Sequence, residues 1–143
     1  MTAALPLRPA IAASLALWHE GVATRDLSRL PEILHPDAVF RSPMAHTAYG
    51  PAPALVMILG TVIQVFENFT YHREFISGDG LSVVLEFSAT VGDRDLKGID
   101  MIRFNEQGQI VDFEVMVRPF SGLQALGAEM GKRLGHLLQG YKA

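Results

Sequence analysis

Residues 96–111 read Leu96-Lys-Gly-Ile-Asp100-Met-Ile-Arg-Phe104-Asn-Glu-Gln-Gly108-Gln-Ile-Val111, and they decide the fold. Side chains alternate faces along a strand, so Leu96, Gly98, Asp100, Ile102 and Phe104 share one face. Asn-Glu-Gln-Gly is hairpin punctuation, and Gln109–Arg118 follows as a second strand with Val111, Phe113, Val115 and Val117 together. Two further strands precede it. Leu81–Val91 aligns Val83, Leu85 and Phe87, and Phe69–Ser77 places His72 opposite in parity to Phe69, Tyr71 and Phe75. Gly-Asp-Gly at 78–80 and Gly-Asp-Arg-Asp at 92–95 join these strands.

Upstream, the period changes from two to 3.6. Pro9 opens a helix to about Thr24, with Ile11, Leu15, Trp18 and Val22 on one stripe. Asp26 reads as the N-cap of a short helix from Leu27 to Leu34, ended by Pro36. Ala38–Met44 alternates as a short strand, with Ala38, Phe40, Ser42 and Met44 on one face. A third helix runs from Pro51 to about Glu67 on Leu55, Ile58, Leu59, Val62 and Phe66. The expected architecture is one α+β domain over residues 1–143, with a core at 9–118 and a helical tail at 120–141. The tail carries a stripe of Leu123, Met130, Leu134, Leu137 and Tyr141. Its Gly127, Gly131 and Gly135 either weaken the helix or offer a smooth face to another backbone.

Composition narrows the function. With 49% hydrophobic and 19% charged residues the chain is ordinary globular protein, and 143 residues bury a core without staples. A net charge of −3 with scattered basic residues points away from nucleic acid and anionic lipid. The absence of cysteine removes thiol chemistry and cysteine-bound zinc. No apolar run spans a bilayer, and residues 1–9 lack the pattern of a secretory leader, so a cytoplasmic location is expected. The five histidines show no metal-binding spacing, no phosphate loop is present, and neither metal nor cofactor is expected.

Asp100 is the main chemical candidate. Its parity places it among apolar side chains, where an ionised carboxylate is costly unless paired, so it either finds partners or holds its proton. Such a group is a catalytic candidate or a structural buried acid. Trp18 can donate its indole N–H to a ligand or serve as core, and Ser42 has no base in its pattern and reads as a polar contact at most. The residues expected to line a pocket around Asp100 are Trp18, Phe40, Ser42, Met44, Leu59, Ile63, Phe87, Val115 and Val117.

Three segments in this order, 25–40, Tyr49-Gly-Pro51 and 98–111, resemble the SnoaL-like group of the nuclear-transport-factor-2-like superfamily. The last is similar to the matching hairpin of ketosteroid isomerases. The resemblance implies a curved antiparallel sheet wrapped by three helices into a cone, an apolar pocket, and homodimers built through the sheet. It also implies isomerase, cyclase or dehydratase chemistry, or a non-catalytic module that stores a ligand or binds a protein. Asp100 matches the family's protonated acid, which donates to a substrate oxyanion. Trp18 stands where the isomerases carry a tyrosine, and Ser42 where they carry the aspartate base, which argues against steroid isomerisation by their route. Gly98 replaces the arginine of the epoxide hydrolases. The histidine of the polyketide cyclases has no inward counterpart unless His46 folds over the mouth. The expected partner is a small apolar or amphipathic molecule, and the tail helix is either a lid or a dimer element.

Overall fold

A computed structural model describes residues 7–143. The leader expectation for residues 1–9 therefore falls mostly outside the described residues. Helix α1 (Pro9–Thr24) begins on Pro9 as expected and buries Ile11, Leu15, Trp18 and Gly21. It ends where Arg25 turns into the left-handed region at φ 56°, its N–H bonded to the Gly21 and Val22 carbonyls. The short helix expected over Leu27–Leu34 contracts to one 3-10 turn, Leu30–Ile33. Asp26 explains part of this, because its carboxylate accepts the Ser28 N–H at 3.0 Å and forms a local turn in place of a helix cap.

Strand β1 (Leu34–Arg41) is shifted upstream from the expected Ala38–Met44. Pro43 has no N–H for a ladder, and Ser42 Oγ accepts the Met44 N–H at 3.0 Å, so Ser42 and Met44 lie in the loop beyond the strand. Helix α2 (Ala52–Val65) follows, then β2 (Glu67–Ile76), β3 (Ser82–Val91), β4 (Arg94–Phe104), β5 (Ile110–Arg118) and helix α3 (Phe120–Leu138). The strand order is β1-β5-β4-β3-β2 in one curved, unclosed sheet. The four later strands form an antiparallel meander, but β1 lies parallel to β5, with Phe40 beside Phe113. The expected α+β fold on a curved sheet is thus present, and the sheet is antiparallel except at its β1 edge. Helix α2 carries the chain from one edge to the other, and so long a connection permits a parallel edge strand.

Parity holds along β4 and β3 and breaks elsewhere in the sheet. In β2 an extra residue enters between Glu67 and Thr70, which pair with Thr90 and Ser88, and another between Tyr71 and Glu74, which pair with Phe87 and Leu85. Beyond the second bulge Phe75 turns outward beside Val84 and is 51% exposed, against its expected place with Phe69 and Tyr71. In β5, Phe104 pairs with Ile110 while Arg103 pairs with Asp112, so Ile110 enters the core in place of Val111.

Helices α1 and α2 fill the concave face. Trp18 meets Phe113 edge-on at 5.1 Å between centroids, and Phe69 stacks on Phe87 at 5.0 Å. Gly98, opposite Phe87, permits this close packing: a Cβ there would lie 2.6 Å from the Phe87 ring and against the Met116 carbonyl. Helix α3 lies across α2, β4 and β5, with Leu126 and Leu134 buried; Leu137, expected on the inner stripe, is exposed. Gly131 and Gly135 face open space, and the Met44 side chain packs against Gly127. The C-terminus is strapped to the loop after β1 by Gly50 N–H to Tyr141 O (2.8 Å) and Ala143 N–H to Ala48 O (2.9 Å). Among the described residues no helix is long and apolar enough to cross a membrane.

Candidate functional site

Between α1, α2, α3 and the concave face of the sheet lies a cavity of about 100 Å3. Its wall is apolar except at a few points. Eight of the expected lining residues meet there: Trp18, Phe40, Ser42, Met44, Leu59, Ile63, Asp100 and Val115. Phe87 and Val117 do not. Phe87 is fully buried behind Phe69, which stacks over it, and Val117 packs on the core opposite Gly98. Helix α3 supplies Leu126, Gly127, Met130 and Leu138 to the wall, so it closes the cavity on that side.

Asp100 is 7% exposed on β4, between the Leu85 and Val115 positions of the neighbouring strands. The group that holds it is Tyr71 of β2. Tyr71 Oη donates to Asp100 Oδ2 at 2.6 Å and accepts the Trp18 indole N–H at 2.9 Å. Trp18, Tyr71 and Asp100 therefore form one directed chain of donors. Oδ1 of Asp100 takes no protein donor among the described residues. No fully buried side-chain oxygen or nitrogen lacks a partner there, so Oδ1 is the oxygen that the cavity reaches.

The electrostatics follow from this placement. Burial raises the Asp100 carboxyl to about 7, and the bond from Tyr71 works in the opposite direction. Burial, and after it the charge and hydrogen bond of Asp100, pushes the Tyr71 phenol well above its ordinary value. Among the described residues Asp100 is the one carboxyl in the wall, and its raised value suits it to give or take a proton near neutral pH. Ser42 reaches the wall, but its oxygen is engaged by the Met44 amide.

Tyr71 went unrecognised as a functional candidate, although the signal was present. It shares inward parity with Phe69 and pairs across with Phe87, and a phenol among apolar neighbours needs a partner. The histidines do not supply one. His46 is exposed and outside the wall, and His72 bonds Ser88 Oγ at 2.7 Å on the outer face. His19 lies 3.5 Å from Glu74 and edge-on to Tyr71.

The SnoaL-like domain family matches residues 15–113 of this chain. Among solved structures, a steroid delta-isomerase from Pseudomonas aeruginosa is 67% identical, covering 94% of this chain and 98% of its own, with a TM-score of 0.90. An uncharacterized protein with a cystatin-like fold from Silicibacter pomeroyi DSS-3 is 34% identical over 88% of each chain, at a TM-score of 0.80. An NTF2-like protein of unknown function from Mesorhizobium loti shares the fold at 17% identity, covering 80% of this chain and 100% of its own, with a TM-score of 0.68. No curated protein matches the chain.

Proposed function

We propose that this chain, which belongs to the SnoaL-like domain family, binds a small, mostly apolar molecule in its cavity and performs proton chemistry on it with Asp100. The reaction class is a cofactor-independent isomerisation, cyclisation or dehydration. The observation that carries this reading is the placement of Asp100: one oxygen fixed by Tyr71 and the other open to an apolar cavity, with burial raising its carboxyl to about 7. Protonated, Asp100 donates to a carbonyl or hydroxyl oxygen and stabilises the oxyanion formed there. Ionised, the same oxygen accepts a proton from the ligand. Tyr71 and Trp18 are positioning residues, because they hold the carboxyl and leave Oδ1 for the ligand.

The 67% identity to a protein known as a steroid delta-isomerase supports isomerase chemistry. Moving a proton between two carbons beside a ketone needs an acid at the oxygen and a base at the carbons. Here Asp100 is the one carboxyl in the wall among the described residues, and the cavity of about 100 Å3 is nearer the ~150 Å3 that holds one benzene ring than the space a fused four-ring body needs. We therefore favour a ligand whose body in the cavity is a single ring over a steroid. The protein works, on this reading, as a cytoplasmic homodimer. The outer sheet face bears a groove of Phe75, Ile76, Val84 and Met101 with Arg103, Asp112 and Glu114 beside it, and a second copy covers that face.

A second reading, a non-catalytic ligand store with Asp100 structural, draws on the same Tyr71 bond, since a structural buried acid is also held by donors. Titration with phenols and aryl ketones, followed by Trp18 fluorescence, separates the readings. Quenching that Asp100→Asn weakens supports the proposal. Quenching indifferent to Asp100→Asn leaves only the store, and no quenching with any ligand refutes both.

A further inference from the structure

The cavity has a thin side. Val22, Ile63, Phe66, Phe69 and Tyr71 each line the cavity and also an outer groove of about 500 Å3 between α1, α2 and β2. The partition is one side chain thick. Val22, Ile63 and Phe69 are only half-buried, whereas α3 seals another side of the cavity. These three side chains are thus what stands between the cavity and the groove.

The rim of that groove carries His19, Arg25 and Thr70. Arg25 is held in place there. Its Nη2 donates to the Gln64 carbonyl at 3.1 Å, and Gln64 Nε2 returns a bond to the Arg25 carbonyl at 3.0 Å. Among the described residues, every arginine except Arg25 and Arg118 stands within ion-pair distance of a carboxylate. The adjacent Asp26 turns its carboxylate to the Ser28 N–H and lines a different crevice. Arg25 also occupies, at φ 56°, a helix-ending position where glycine is the unstrained choice. A guanidinium with unused donors is thus fixed at the mouth of a groove that continues an apolar cavity.

We propose that Arg25 binds the carboxylate of an elongated ligand whose body fills the cavity against Asp100 and whose chain passes between Val22, Ile63 and Phe69. The ligand class is an amphipathic acid with a hydroxyl or carbonyl at its far end. This rests on the cavity reading above and adds to it the identity of the trailing group.

The probes are phenol, 4-hydroxyphenyl alkanoates with tails of three to seven carbons, and their methyl esters, measured by calorimetry. Wild type binds at least one acid about three- to fivefold more tightly than its ester at low salt, the range of an exposed ion pair. The preference disappears in 0.5 M salt. Arg25→Gln abolishes it while leaving phenol and the esters unchanged, and Arg25→Lys retains part of it. If Arg25 only capped the helix ends, Arg25→Gln would lower thermal stability and leave the acid-to-ester ratio as in wild type. That result, or no acid preference at any tail length, overturns the proposal while phenol binding leaves the cavity reading standing. If neither phenol nor the esters bind wild type, the cavity reading itself falls, and this proposal with it.

Discussion

Replacing Asp100 by asparagine separates burial of a titrating acid from burial of a merely polar group. The amide keeps an oxygen to accept the Tyr71 hydroxyl but carries no charge at any pH. In wild type the unfolded carboxyl loses its proton near 3.8 and the folded one near 7. As pH rises between these values, the unfolded state ionises while the folded state stays protonated, so stability is lost across that window and then levels off. Three pH units correspond to about 4 kcal/mol, and in a chain of this size to a Tm difference of about 10 °C. Asp79, Glu86, Asp26 and Glu32, whose carboxyls are lowered by hydrogen bonds and, except at Asp26, by nearby cations, lose their contributions in acid equally in both proteins. They cancel in the difference. Urea denaturation at pH 4, 5, 6, 7 and 8 measures it directly. The advantage of Asp100→Asn over wild type grows by about 4 kcal/mol from pH 4 to pH 8. A difference that stays constant across the series refutes the premise that Asp100 is buried with a raised pKa.

Three other perturbations test the surroundings. Tyr71→Phe removes the donor that partly offsets burial and leaves the Trp18 N–H without its acceptor; it moves the upper edge of the pH window upward and costs about 1–3 kcal/mol. An unmoved edge in the same urea series contradicts the Tyr71–Asp100 bond. Gly98→Ala drives a methyl against the Met116 carbonyl and the Phe87 ring, destabilising by at least about 1–3 kcal/mol in thermal melts, and a neutral result means that β4 and β5 pack differently there. Phe75→Asp on the outer face converts a dimer to a monomer by light scattering without altering phenol binding; an unchanged mass removes the sheet face as the interface.

Much of this fold was legible because the meander is long and regular. The alternation of β3 and β4 placed Val83, Leu85, Phe87, Asp100 and Ile102 on the correct face without further information. Parity failed where an extra residue enters a strand, at the β2 bulge that turns Phe75 outward and at the β5 irregularity that exchanges Val111 for Ile110. A bulge is set by pairing with the neighbouring strand, which a single segment does not reveal. The parallel seat of β1 escaped for the same reason, since its partner β5 is distant in sequence. Within the site, Asp100 was legible from its own strand, while its relation to Tyr71 and Trp18 depends on three elements meeting. Phe87 and Val117 had the right face but not the cavity wall, because Phe69 covers the first and the second packs against the core opposite Gly98. Arg25 carries no signal in the sequence beyond its charge. Only the reciprocal clamp with Gln64 places it on the rim of the groove.

Carbon-13 NMR of the Asp100 side-chain carboxyl, assigned by comparison with Asp100→Asn and followed from pH 3 to pH 9, tests the central claim most directly. The account predicts a midpoint near 7 in the free protein, moved by a phenol that binds and moved upward by Tyr71→Phe. A midpoint near 4, or one indifferent to both, would contradict it.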